Sequence, residues 1–131
     1  MEDLKIERTQ DIFFSPEVHF DGKTGVCELI GESYLEETVK FYEQILDWLQ
    51  EFMLVEKKPI TFNFKLTYFN TSSSKSILDI LFLLKDYQDE GNEVTINWFY
   101  DEANKMTMEE EVEDFSDEAD IDINFLPFPD E

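Results

Sequence analysis

Cysteine is almost missing from this chain. Cys27 stands alone, so no disulfide can close within it. Histidine is as scarce, with His19 the only one. A nucleophilic triad therefore has little support, and a zinc site built on His and Cys lacks partners. Glycine and proline number four each, too few for a collagen-like or flexible low-complexity chain. Positive charge is short: ten Lys+Arg face 32 Asp+Glu, the formal net charge is −22, and no basic cluster exceeds Lys57-Lys58. A basic groove for nucleic acid is excluded on that ground, and an anionic membrane surface would repel the chain. Long apolar runs are missing too, which argues against a bilayer span. The opening "MEDLKIERTQ" is acidic and develops no secretory signal, so a cytoplasmic location is expected.

What is present is a core. The composition is 42% hydrophobic and 15% aromatic, with 13 Phe, far from that of a disordered acidic protein. A chain of 131 residues is long enough for one domain burying roughly two thirds of its unfolded surface. No internal repeat or linker breaks it, so residues 1–131 read as a single domain.

Periodicity orders the elements. Residues 1–15 show no firm period. "PEVHFDGKTGVCELIGES" reads as a hairpin turning at Asp21-Gly22 and Gly25. "SYLEETVKFYEQILDWLQEFMLVEKKP" reads as a helix opened by a Ser33/Glu36 capping box. Leu35, Val39, Tyr42, Leu46, Leu49 and Met53 form its stripe, widened by Phe41, Ile45, Trp48 and Phe52. "ITFNFKLTYFN" alternates: Ile60, Phe62, Phe64, Leu66 and Tyr68 point one way, and Thr61, Asn63, Lys65 and Thr67 the other. A strand covered on both faces would be apolar on both, so the helices are expected mainly on one face.

A second helix follows, with Ile77, Ile80, Leu81, Leu84 and Tyr87 inward and Gly91 suited to its C-terminal cap. "VTINWFY" is the next strand. An acidic third helix opens with a Thr107/Glu110 box and carries a thin stripe of Met108, Val112, Phe115 and Ala119. "IDINFLPF" is the last strand, and its prolines suit an edge. The order β-β-α-β-α-β-α-β predicts an α/β domain with a mixed, mostly parallel sheet. In such sheets the working edge lies at the carboxyl ends of the strands.

Few residues suggest chemistry. His19 in a strand and Cys27 in the return strand are most simply structural. Asp117, Asp120, Asp122 and Asn124 resemble part of a calcium loop but lack its central Gly and distal Glu. No metal, cofactor or active site is expected, and an enzyme is disfavoured. Glu109, Glu110, Glu111, Glu113 and Asp114 read as a solvated helix face. Their competing reading is an acidic decoy that occupies a basic groove.

The unusual feature is Thr71-Ser72-Ser73-Ser74, after Asn70, at the junction of a strand and the second helix. One or two hydroxyls cap a helix. Four do not follow from capping alone. A phosphoacceptor is the other reading, because a phosphate there meets free N–H groups and the positive end of the helix dipole. The residues themselves leave both open.

"LTYFNTSSSKSILDILFLL" followed by "GNEVTINWFYDEAN" resembles the SiaC family of bacterial regulatory phosphoproteins, and the likeness extends over "GESYLEETVKFYEQILDWL" and the acidic third helix. The element order also resembles the STAS domain of anti-sigma-factor antagonists, which carry a phosphorylatable hydroxyl at this junction. The resemblance implies a single STAS-like domain acting as a phosphorylation-controlled partner switch. It implies a Ser/Thr kinase of the histidine-kinase-like class, a PP2C-type phosphatase, and a regulated target that in the SiaC family can be a diguanylate cyclase. The free form binds the target and the phosphorylated form releases it. Thr71 matches the acceptor, with Ser72 and Ser73 as alternatives. Phe69, Asn70, Thr71, Ser72 and Phe99 are the expected partner-binding residues.

Overall fold

The computed structural model describes residues 1–129. Strands β1 (Leu4–Ile6), β2 (Thr9–Gln10), β3 (Phe14–Ser15), β4 (Glu17–Phe20) and β5 (Val26–Ser33) precede helix α1 (Thr38–Val55). Strand β6 (Ile60–Phe69), helix α2 (Thr71–Asp89), strand β7 (Val94–Tyr100), helix α3 (Lys105–Ala119) and strand β8 (Asn124–Pro127) follow, with a 3-10 turn at Glu102–Asn104.

A six-stranded sheet runs in the order β1-β4-β5-β6-β7-β8. β1, β4 and β5 pair antiparallel, while β5 through β8 pair parallel. The expected alternation from β4 to β8 holds. The short strands β1, β2 and β3 lie in the stretch without a period, where two or three residues are too few to show one. β1 is held by packing of Leu4 and Ile6 against the core as well as by pairing, and just ahead of it the Trp48 indole N–H donates to the Glu2 carbonyl at 3.0 Å.

Cross-strand register sorts the two faces. Phe20, Cys27, Phe62 and Ile96 form one continuous row, and Val18, Leu29, Phe64 and Trp98 another. All are buried and packed with α1, α2 and α3 in one core. The opposite face presents Lys5, His19, Glu28, Asn63, Asn97 and Asn124 across all six strands. There the Asn97 amide donates to Asn63, and the Asn124 amide to Asn97, each at 2.9 Å. The helices therefore cover one face, as the polar positions of β6 require. Sequential parallel neighbours joined by crossovers of one hand place every helix on the same side.

Cys27 belongs to the core. Burial pushes the Cys27 thiol well above its ordinary range. His19 is exposed on the open face, 2.5 Å from Glu17, whose carboxyl is held below its usual range by that contact. At the hairpin turn, the Asp21 carboxylate accepts from the Lys23 and Thr24 amides at 2.8 and 3.1 Å. Gly25 has φ +77°, and a Cβ there would lie 2.3 Å from the Pro59 carbonyl oxygen.

Three expectations need correction. Ser33 does not cap α1: it is the last residue of β5, and the helix starts five residues later. Val39 does not join the core stripe. It is 76% exposed, and the buried face centres on Tyr42, Ile45, Trp48, Leu49 and Phe52. Thr107 does not cap α3, which begins at Lys105 directly after the 3-10 turn. For the two caps, a distant contact of Ser33 and a turn preceding α3 overrode the local signal.

Candidate functional site

β6 departs from strict alternation near its end. Gly31 pairs with Leu66, but its neighbour Glu32 pairs with Tyr68, so Thr67 is an extra residue on β6. The Asn104 side-chain amide donates to the Thr67 carbonyl at 3.1 Å and so satisfies a group at the irregularity. One extra residue swaps the faces of all that follows. Tyr68, expected inward, is 50% exposed. Phe69, expected outward, turns into the core against Trp98 at 5.8 Å and Phe115 at 5.6 Å. The exposed aromatic beside the junction is therefore Tyr68. Phe99 does lie on the open face, half-buried, with the Lys65 ammonium 5.3 Å above its ring.

The phase change delivers Asn70 to the carboxyl edge of the sheet as the N-cap of α2. Its φ of −90° and ψ of 178° are extended, and its side-chain oxygen accepts from the Ser73 amide at 3.0 Å. The Asn70 amide donates to the Ser33 carbonyl at 3.1 Å, binding the start of α2 to the end of β5.

The hydroxyls then divide by use. Ser73 is fully buried and lies 2.7 Å from the Ser33 hydroxyl, which lies 2.7 Å from that of Tyr42. Ser73 also donates to the Ser33 carbonyl at 3.1 Å. One consistent circuit satisfies all three groups: Tyr42 donates to Ser33, Ser33 to Ser73, and Ser73 to the carbonyl of Ser33. Burial raises the Tyr42 phenol to about 12, with the Ser33 and Ser73 hydrogen bonds pulling the other way.

A second chain lies nearer the surface. Thr38 of α1 and Ser72 touch at 3.0 Å, and Ser72 donates to the Asn70 side-chain oxygen at 3.2 Å. Ser74 donates back to the Asn70 carbonyl at 3.3 Å. Thr71 differs. It is exposed, and its hydroxyl makes no hydrogen bond to any described residue. As the first helical residue it also leaves its amide, and that of Ser72, without an intrahelical acceptor.

The structure thus brings Asn70, Thr71 and Ser72 together at one exposed corner, sets Phe69 behind them in the core, and leaves Phe99 on the open face of the sheet. Sequence reasoning missed Ser33, Thr38 and Tyr42. Ser33 and Ser73 are 40 positions apart, and neither carries a local pattern that announces the other. Exposed Tyr34, Val39, Tyr68 and Met106 lie near the carboxyl edge of the parallel strands, at the ends or starts of the elements that meet there. Among the described residues no helix is long and apolar enough to cross a membrane.

Comparison with known proteins agrees with this geometry. Apo-SiaC from Pseudomonas aeruginosa superposes with a TM-score of 0.87 at 31% identity, covering 96% of this chain and 99% of that one. A chain from the crystal structure of the diguanylate cyclase SiaD in complex with its activator SiaC, from the same organism, gives 0.86 at 30% identity, covering 95% and 99%. An uncharacterised protein of Pseudomonas aeruginosa strain UCBPP-PA14 is 34% identical over 109 residues, 83% of this chain and 84% of that protein. The fold is accordingly that of the SiaC structures. The family model for the SiaC family regulatory phosphoprotein matches residues 6–128, and the chain belongs to that family.

Proposed function

We propose that this chain is a phosphorylation-controlled partner switch: its unphosphorylated form binds and regulates a target protein, and a phosphoryl group on Thr71 releases it. Its family is one of regulatory phosphoproteins rather than enzymes. A SiaC is the activator of the diguanylate cyclase SiaD, so a diguanylate cyclase is the proposed target class. The modifying partners are a histidine-kinase-like Ser/Thr kinase and a PP2C-type phosphatase, acting in the cytoplasm. The kinase transfers the γ-phosphoryl group of ATP to the Thr71 oxygen, which gives up its proton. The phosphatase returns the hydroxyl and inorganic phosphate with water.

One observation carries the choice of acceptor. Of the four hydroxyls, that of Thr71 alone is exposed and unengaged among the described residues. Ser73 is fully buried, and Ser72 and Ser74 are spent on Thr38 and Asn70. Phosphorylating Ser73 would require breaking the buried circuit first.

Release is a local effect. The modification adds about −1.5 to −2 charges. On a chain of net charge −22 this barely changes the distant field. A contact covering Thr71 must desolvate or exclude the phosphate. A local penalty of roughly 3–4 kcal/mol weakens binding by on the order of 100- to 1,000-fold. Asn70, Ser72 and Tyr68 are the proposed neighbours of Thr71 in that contact, with Phe99 as an outlying aromatic and Phe69 as the core support beneath.

The test is labelling with the cognate kinase. Thr71→Ala is expected to take up no phosphate and to keep binding the target. Stoichiometric labelling of Thr71→Ala would overturn the assignment.

A further inference from the structure

We infer that the first turn of α1 is the moving half of the switch: a phosphoryl group on Thr71 captures the Ser72 hydroxyl, frees Thr38, and loosens residues 35–41. The inference rests on Thr71 as the acceptor and adds what the modification does to the fold.

α1 begins without the usual anchor. Its N-cap, Glu37, has φ −111° and ψ 71° and makes no side-chain capping bond. The described side-chain bond tying this turn to α2 is the 3.0 Å contact of Thr38 with Ser72. Thr38 donates to the Leu35 carbonyl at 3.4 Å, so its bond with Ser72 uses the Ser72 proton, which the Asn70 side-chain oxygen shares at 3.2 Å. Ser72 follows Thr71 directly, so a phosphate there offers that proton charged oxygens in place of the neutral Thr38 and Asn70 oxygens. Charged acceptors form the stronger hydrogen bonds. Two arrangements of the same hydroxyls therefore exist, and the phosphate favours the one in which Thr38 faces its own turn.

Charge acts in the same direction. Glu36, Glu37 and Glu43 line a shallow hollow together with Ser72, and Lys40, 3.8 Å from Glu37, is the one cation among its described lining residues. A dianion placed beside Ser72 repels this turn. The loosening also has a defined limit. Tyr42 is locked into the buried circuit with Ser33 and Ser73, so the helix stays docked from its second turn onward. The released piece carries exposed Val39, which makes it a surface that a partner would lose on phosphorylation.

The experiment is hydrogen exchange on the full chain with phosphothreonine genetically incorporated at position 71, compared with the unmodified chain. The amide of Phe41, bonded to the Glu37 carbonyl at 3.2 Å, reports the turn. Its protection is expected to fall about tenfold on phosphorylation, the size of one part-buried hydrogen bond, while that of Leu49 stays unchanged. Thr38→Val in the unmodified chain is expected to reproduce the loss at Phe41, and Thr38→Ser to restore protection. Unchanged exchange at Phe41 in the phosphorylated chain would overturn the inference, as would equal protection in Thr38→Val and wild type. Failure of the kinase to label Thr71 would instead overturn the reading on which it rests, and the incorporated phosphothreonine decides this one separately.

Discussion

Ser33 and Ser73 meet hydroxyl to hydroxyl at 2.7 Å in a fully buried setting, although 40 positions separate them. One closes a strand and the other lies in the first turn of a helix. Their contact explains why the junction holds so many hydroxyls. Two serve as links between elements, one bonds back to the backbone, and one is left over.

Removing a link strands a buried polar group. Ser33→Ala leaves the Tyr42 phenol and the Ser73 hydroxyl short of a partner. The expected loss is about 1–3 kcal/mol in stability to urea. Ser74→Ala, which removes a bond from a half-buried hydroxyl to its own helix, is expected within about 0.5 kcal/mol of wild type. Equal stabilities for the two variants would contradict the circuit.

Tyr42 also makes stability pH-dependent. Its phenol is raised from 10.0 to about 12 in the folded chain. The unfolded chain therefore ionises first. The contribution is complete below pH 10 and is lost as pH rises from 10 through about 12. The slope in that window is at most about 1.4 kcal/mol per pH unit from this one group. Tyr42→Phe is expected to flatten the alkaline limb of a urea-stability profile by that share.

The extra residue in β6 assigns opposite roles to adjacent aromatics. Phe69→Ala opens a gap beside Trp98 and Phe115 and is expected to cost about 2–4 kcal/mol. Tyr68→Ala is expected to change stability by less than about 0.5 kcal/mol and to weaken target binding. Chemical denaturation of both variants, with binding measured for the second, separates the roles. A large stability loss for Tyr68→Ala would show that the two faces are assigned the wrong way round.

The same pair shows where sequence reading stops. The alternation of Ile60 to Leu66 was enough to place the helices on one side, because a period of two across seven residues is a direct image of the pleat. The exchange of Tyr68 and Phe69 was hidden, since a single unpaired residue leaves no mark in composition, and the Asn104 that satisfies the Thr67 carbonyl lies 37 positions away. The Thr71 junction was legible because capping chemistry is local. What distinguishes Thr71 from Ser72 and Ser73 was not, because it depends on Thr38, Ser33 and Tyr42 arriving from other elements. Family resemblance named the residue, and the contacts supply a physical reason for it.

The acidic face of α3 offers a separate check. Glu109, Glu110, Glu111, Glu113 and Asp114 are all exposed. Converting them to the corresponding amides is expected to reduce the salt sensitivity of target binding while changing affinity by less than about threefold at physiological ionic strength, where exposed charges are largely screened. Loss of binding with Thr71 intact would favour an acidic decoy over a switch.

The most direct measurement is the affinity of the purified chain for its diguanylate cyclase target, by calorimetry, with and without phosphate on Thr71. Binding on the order of 100-fold weaker or more is predicted for the phosphorylated chain. Equal affinity of the two forms would contradict the switch.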